Sequence, residues 1–552
     1  MDNGDASFHA EISTEARPST ARETSSGLQY RLALSVAQIK RFWRLLVFGF
    51  EVLVLSRLFE ARRPVSHSVS EALLKTKSVD ILPPELLVTR DGIREPIWTH
   101  GFSAVNAALF LNLRNADALS STRYAIPGPP FRAIYLWDSA FIAQIWRWWD
   151  PNVAWDVLRS VIEKRKDGRL QHFASEFSRS EFTQPPLIAW SLARLGDAID
   201  AKQYRRWIEA AYQPLRTYHA WLYRHRRLQN GLFAWAHPYE SGVENAPRFS
   251  TRDERRLDDT RELAAPDFST YVLLQCEALR EMAQVLEEHE DAACFDAQAG
   301  ALREAINAHL WDDETGLYFD RNTRTGAFIK TITIASLLPL WAGVPDDARA
   351  KRVIAHILDP QAFNSLVPLP SVALNDKTFE RDMWRGPVWI NTAYAVLEGL
   401  RRYGYRDEAA DLSWRICDGV YRTYAEAGRF YEFYDPSAIG VAALNRKRGN
   451  RWKRISLGSG PVANFVGWTG LVNALALDVV LGLQNTPRGW AIEPRFPAAA
   501  TGLHFCFEWP LHQLELAFLV GSAGQIEGEF TRDNARHRFR ATYGERILLS
   551  SV

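Results

Sequence analysis

YLWDSAFIAQIWRWWDPNVAWDVLRSVIEKR, residues 135–165, decides the fold class. Apolar residues recur there at spacings of three and four, the mark of helices with a buried face. The spacing predicts helices over 137–149 and 151–165. The same period continues on both sides of this stretch. It predicts helices over 101–118, 183–196, 201–226, 265–288, 291–312, 327–342, 346–358, 385–403, 405–424 and 461–482. No fixed repeat length links them, which argues against an open solenoid. About twelve helices in antiparallel pairs can instead close on themselves, giving an all-α (α/α)6 toroid over residues 100–482. The connections over 119–136, 227–264 and 425–460 are long and rich in Pro, Gly and aromatics. Long connections in a compact domain are functional or disordered, and the aromatic content argues against disorder. In a toroid they gather on one face, around the mouth of the ring.

The two ends read differently. After Leu483 the period changes to alternation, with strands expected over Trp490–Phe496, Leu503–Trp509, Gln513–Leu519, Gln525–Phe530, His537–Tyr543 and Arg546–Ser550. Residues 483–552 therefore read as a small C-terminal antiparallel β-sheet appendage. Residues 1–28 are polar and aperiodic, the composition of a disordered tail. Residues 29–99 read as a helical or irregular segment packing on the barrel. Within them Leu45–Leu55 is strongly apolar but too short to span a bilayer, which takes about 20 residues. A packed helix is expected there, and membrane association is not.

Composition removes several function classes. Lys and Arg total 66 against 65 Asp and Glu, so there is no electrostatic case for nucleic acid or an anionic membrane surface. The four cysteines show no CxxC spacing, and the histidines form neither HExxH nor a cluster at ligand spacing. No disulfide framework, catalytic metal or other cofactor is expected. Unpaired cysteines without an export signal suit the cytoplasm. The chain carries 20 Trp, 18 Tyr and 29 Phe. Such rings fill cores, and their flat faces also stack on sugars.

Several segments join acidic, polar and aromatic residues. In PGPPFRAIYLWDSAF (127–141), Asp138 follows Trp137 at a helix start. It either caps the helix or grips sugar hydroxyls beside the indole. In TQPPLIAW (183–190) the double proline fixes how the helix begins and turns Gln184 toward the previous loop. YESGVENAPRF (239–249) holds Glu240, Glu244, Asn245 and Arg248 in a loop whose aromatics do not suit full hydration. MWRGPVWINTAY (383–394) brings Trp384, Arg385, Trp389 and Asn391 to a helix start. In RFYEFYDP (429–436), Glu432 lies among aromatics, either buried or pointing to solvent from a strand. Cleavage of a glycoside needs two carboxyl groups on opposite sides of the bond. Acidic loops near 244 and 432 can face each other across a ring.

With these motifs in order, the chain resembles clan-G glycoside hydrolases. These are family 63 and, more distantly, the trehalases of family 37. YLWDSAF (135–141), QPP (184–186), ESGVENAPRF (240–249), MWRGPVWIN (383–391), FYEFYDP (430–436) and FVGWTG (465–470) carry the resemblance. Within family 63 it is most similar to bacterial mannosylglycerate and glucosylglycerate hydrolases. The resemblance implies an (α/α)6 barrel and an inverting α-glycosidase. It also implies a small carbohydrate substrate, an α-glucoside or α-mannoside, with glycosylglycerates among the candidates. Carried over by position, Glu244 is the general acid and Glu432 the general base. Trp137, Asp138, Gln184, Asn245, Trp384, Arg385, Trp389 and Asn391 line the sugar subsite, and Glu240, Asp267, Tyr434 and Trp468 join the candidate binding residues. Two roles stay open for Arg248 and Arg385: pairing with a substrate carboxylate, or holding the catalytic acids.

Two departures stand out. The trehalase signature has Arg and Glu where this chain has Pro130 and Ala133, and its QWD motif is missing, so trehalase is the weaker member. Family members usually carry Asp at the acid position, where this chain has Glu244. Three outcomes follow: a re-spaced site that still uses Glu244, another acid such as Glu240 or Asp267, or a protein that binds sugar without cleaving it.

Overall fold

A computed structural model describes residues 69–249, 259–446, 457–532 and 534–549. The expected tail at 1–28, the apolar stretch 45–55 and most of the charged run at 251–264 lie outside the described residues. The body is helical: α1 (Pro96–Asn112), α2 (Leu136–Trp146), α3 (Pro151–Glu163), α4 (Ile188–Leu195), α5 (Ala201–His225), α6 (Pro266–Leu286), α7 (His289–His309), α8 (Asp347–Leu358), α9 (Ile390–Arg402), α10 (Arg406–Ala427) and α11 (Leu471–Leu475).

The helices fall into two kinds. In α2 every residue is buried, and apart from Asp138, Ser139 and Gln144 its sequence is apolar, with no preferred face. In α3 the buried residues Val153, Trp155, Val157, Leu158, Val161 and Ile162 form a stripe. The boundaries have local causes. Asp150 accepts the Asn152 N–H at 2.9 Å and Pro151 supplies a preset first turn for α3. Asp200 and Asp346 cap α5 and α8 in the same way. The inner elements neighbour one another in a cycle. α2 packs on α4, α4 on α6, α6 on the turn Leu338–Leu340, that turn on α9, α9 on α11, and α11 again on α2.

One expected helix is absent. Residues 327–342 form a short strand, Phe328–Ile329, and two 3-10 turns, Ile334–Ser336 and Leu338–Leu340. The β-branched run Thr331–Ile334 favours extended backbone, and Pro339 removes a helix donor. Three other helices start later than expected: α4 at Ile188 after Pro185 and Pro186, α9 at Ile390 after Pro387, and α11 at Leu471 rather than at 461.

The strands expected over Trp490–Phe496 and Arg546–Ser550 shrink to Gly489–Ile492 and Ile547–Leu548, in a separate three-stranded sheet, while the other four appear where alternation places them. These four are β3 (Leu503–Trp509), β4 (Leu514–Val520), β5 (Gln525–Arg532) and β6 (Ala535–Thr542). The reading of 29–99 needs correction. Among its described residues, β1 (Glu85–Arg90) and β2 (Ile93–Arg94) extend this sheet to six strands, ordered β6-β5-β4-β3-β1-β2. Leu86 pairs with Phe507 and Val88 with Phe505. The sheet is not a loose attachment. Its buried face carries Phe505, Phe507, Trp509, Leu516 and Phe518. Trp509 Nε1 donates to the Trp148 carbonyl at 2.8 Å, and Trp148 also meets Trp490 edge to face. Trp414 of α10 stacks on Trp98 of α1 with centroids 4.1 Å apart and meets Phe505. Each such buried ring contributes roughly 1.5–3 kcal/mol. Among the described residues, no helix is long and apolar enough to cross a membrane.

Candidate active site

The connections that enter the inner helices meet at one cavity. Trp137 and Asp138 reach it from the first turn of α2, Gln184 from the segment before α4, and Tyr239, Gly242 and Glu244 from the loop before α6. Met383, Trp384 and Trp389 come from the approach to α9, Glu432 from the segment after α10, and Phe465 and Trp468 from the approach to α11. Phe131, Tyr135 and His172 complete the wall.

Its walls are largely indole. Trp384 and Trp389 stack with centroids 3.7 Å apart and planes 8° from parallel. Trp137 lies 6.1 Å from Trp384 and 5.7 Å from Trp468, and Trp468 lies 5.5 Å from Trp389. Fixed indoles give an apolar face for sugar C–H groups at little entropic cost. Asp138 is 4% exposed, and no side chain caps α2 at Tyr135. Gln184 Oε1 accepts the Trp137 N–H at 3.2 Å, which joins the TQPP segment to α2.

Glu244 follows a tight turn. His237 Nδ1 accepts the Tyr239 N–H at 3.0 Å, which starts the single turn Pro238–Ser241. Gly242 then takes φ +73°, and a Cβ there would lie 2.5 Å from the Trp137 ring. Only glycine allows that backbone and that close approach together. Glu244 is left half-buried at the cavity wall, and Asn245 Oδ1 accepts the Trp384 N–H at 3.0 Å, tying this loop to the indole pair.

Glu432 is 5% exposed. Its backbone N–H donates to the Val462 carbonyl at 3.0 Å and its carbonyl accepts from Trp468 Nε1 at 2.8 Å. Arg446 donates to its Oε2. Of the two readings left open, burial holds: Glu432 lies in a buried bend between the bridge residues Tyr431 and Tyr434.

Six sequence-predicted residues besides the two acids line the cavity or its floor: Trp137, Asp138, Gln184, Trp384, Trp389 and Trp468. Others sit behind it. Glu240 is fully buried and receives Arg226 through Nε at 2.9 Å and Nη2 at 2.6 Å, with the Ala236 N–H at 2.9 Å. Arg248 joins Asp267 to Asp320, its Nη1 donating to Asp267 at 3.1 Å and to Asp320 at 2.9 Å. Burial pushes the Asp320 carboxyl up to about 6 against the pull of Arg248. Arg385 Nη1 reaches the Asn245 carbonyl at 3.4 Å, and Nη2 lies 3.3 Å from Glu380. Tyr434 accepts the Tyr431 N–H through its hydroxyl at 3.0 Å, and Asn391 is wholly buried. Glu240, Asp267, Arg248, Arg385, Asn245, Tyr434 and Asn391 are therefore absent from the cavity wall, because partners within the fold or depth in the core hold them. Sequence reasoning missed Phe131, Tyr135, His172, Tyr239, Gly242, Met383 and Phe465 as lining residues. All but His172 stand inside motifs singled out by the sequence, and that adjacency was their one available signal. Among the described residues no group of three His, Cys, Asp or Glu is placed to hold a metal.

Residues 133–439, more than half of the chain, match the mannosylglycerate hydrolase MGH1-like glycoside hydrolase domain. The chain belongs to this glycoside hydrolase family. A mannosylglycerate hydrolase of Rubrobacter radiotolerans is 29% identical over 438 residues, covering 65% of this chain and 93% of that protein. The crystal structure of a family 63 mannosylglycerate hydrolase from Thermus thermophilus in complex with glucose superposes with a TM-score of 0.56. It is 26% identical, covering 67% of this chain and 98% of that one. A periplasmic trehalase of Salmonella newport is 25% identical, over 65% of this chain and 68% of its own length. As a member of the family the chain is a glycoside hydrolase, with trehalases as more distant relatives.

Proposed function

We propose that this enzyme is an inverting α-glycosidase acting on a small α-glucoside or α-mannoside, with glycosylglycerates among the first substrates to try. Residues 100–482 are read as its (α/α)6 catalytic toroid, which the cycle of inner elements supports. The observation that carries the proposal is that Glu244 and Glu432, 188 residues apart in sequence (432 − 244), lie on the wall of one indole-lined cavity. Glu244 gives a proton to the glycosidic oxygen. Glu432 takes a proton from a water that attacks the anomeric carbon from the opposite face. Trp137, Trp384, Trp389 and Trp468 cover the sugar's C–H faces, while Asp138 and Gln184 offer polar contacts to its hydroxyls.

A panel of α-glucosides and α-mannosides, including mannosylglycerate, glucosylglycerate and trehalose, tests this reading, with the product anomer followed by NMR. Release of the β-anomer is expected. First release of the α-anomer would remove the inverting assignment. Glu432→Gln should abolish hydrolysis without unfolding the protein, and unchanged turnover would remove the base assignment.

A further inference from the structure

Arg446 belongs to none of the quoted motifs, yet it makes a direct side-chain contact with Glu432. It is 1% exposed. Its Nη2 donates to Glu432 Oε2, Nη1 lies 3.6 Å from Met383 Sδ, and Nε donates to the Gly460 carbonyl at 3.4 Å. The guanidinium carbon lies 5.5 Å from the centre of the Phe433 ring. The backbone is tied on both sides. Arg446 N–H donates to the Ser459 carbonyl at 2.8 Å, and Asn445 exchanges bonds with the 381–383 segment, donating to Arg381 at 2.9 Å and accepting from Met383 at 3.1 Å. Met383, a cavity-wall residue, adopts φ +45°, a left-handed backbone rare for a side chain of its size.

The two oxygens of Glu432 are not equivalent. Oε2 receives Arg446 and lies 3.4 Å from the Val462 N–H. Oε1 makes no hydrogen bond among the described residues, although the side chain lines the cavity. The terminal torsion of a glutamate is soft, so a carboxylate without a partner spreads over many orientations. A charged, planar donor on one oxygen removes that freedom. We propose that Arg446 is a positioning residue for Glu432, holding Oε2 so that Oε1 is presented to the attacking water. This rests on the reading of Glu432 as general base.

The test uses the full chain with R446Q, R446K and E432Q, and the glycoside of the panel that the wild type turns over fastest. A misplacement of about 1 Å costs about a hundredfold in rate. R446Q should therefore lose about a hundredfold in kcat while KM changes less than about threefold. R446K, which keeps the charge but loses the fork, should fall between R446Q and wild type. A folded R446Q with wild-type kcat, or one altered in KM alone, would overturn the proposal. If R446Q does not fold, R446K decides, and wild-type kcat in R446K overturns it. Crystal structures give a readout free of turnover: the Glu432 carboxylate should rotate or split in R446K or R446Q, and one unchanged orientation counts against the proposal. Hydrolysis by E432Q removes the base assignment whatever Arg446 does. An inactive E432Q beside a fully active R446Q removes only the role of Arg446.

Discussion

In the proposed mechanism, Glu244 is the residue on which the chemistry turns. Its side chain is one methylene longer than the aspartate that the family resemblance puts at this position. The alternative acids Glu240 and Asp267 are held by Arg226 and Arg248 and do not line the cavity. Glu244→Gln should therefore stop hydrolysis of substrates with poor leaving groups. Glu244→Asp should also be slow, by about a hundredfold, because the shorter acid withdraws from the glycosidic oxygen. Initial rates on the substrate panel check both, and wild-type rates in Glu244→Asp would mean that the reach of this side chain is not set by the cavity. At this scale the structure brings eight of the residues singled out by type and neighbours to one cavity. It leaves others behind the wall, among them Glu240, Arg248 and Asp267, where a buried carboxylate or guanidinium finds its partner 14 to 72 residues away. A motif cannot say whether a charge faces a ligand or an ion pair.

At the scale of elements, the turn before Glu244 shows how backbone sets a side chain. The pattern ESGVE reads as a loop, but the need for glycine at 242 comes from the Trp137 ring pressed against it. Gly242→Ala must both leave the left-handed region or strain within it and push Trp137 aside. The expected result is at least a tenfold loss of kcat/KM with the overall fold kept, measured by steady-state kinetics beside circular dichroism. The helices were legible where periodicity ran uninterrupted over three or more turns, as in α3, α5 and α10. The turns at Ile334–Ser336 and Leu338–Leu340 were read as a helix because apolar spacing alone does not weigh Pro339 or the β-branched run before it.

At the scale of the molecule, the C-terminal region joins the helical body through aromatic packing of the six-stranded sheet and through a polar clamp beside a separate three-stranded sheet. Glu493, just after the strand Gly489–Ile492, accepts Arg406 of α10 at 2.5 Å and Arg495 at 2.9 Å, with Gln484 at 3.2 Å. Burial pushes its carboxyl up, but these hydrogen bonds outweigh burial and hold it down at about 2. A depressed folded value means that the stabilisation is complete above the unfolded value of 4.5 and disappears as pH falls toward 2. Glu493→Gln should cost about 2 kcal/mol at neutral pH and show a smaller loss of stability between pH 4.5 and 2 than the wild type, measured by chemical unfolding across that range. An equal acid loss in both proteins would remove Glu493 from the account.

What the sequence determined alone were the features written in local order: the helical period of the body, the alternation of the C-terminal strands, and the succession of acidic and aromatic motifs. Each depends on residues within a few positions of one another, because backbone geometry and the partition of apolar side chains act over a turn or a strand. Only the tertiary structure decided the pairings over distance. It put β1 beside β3, clamped Glu240 on Arg226, joined Arg248 to two aspartates, and set Arg446 on Glu432. Those choices depend on which buried charge and which exposed strand edge come within a few ångströms of each other, and that is fixed by packing the whole chain.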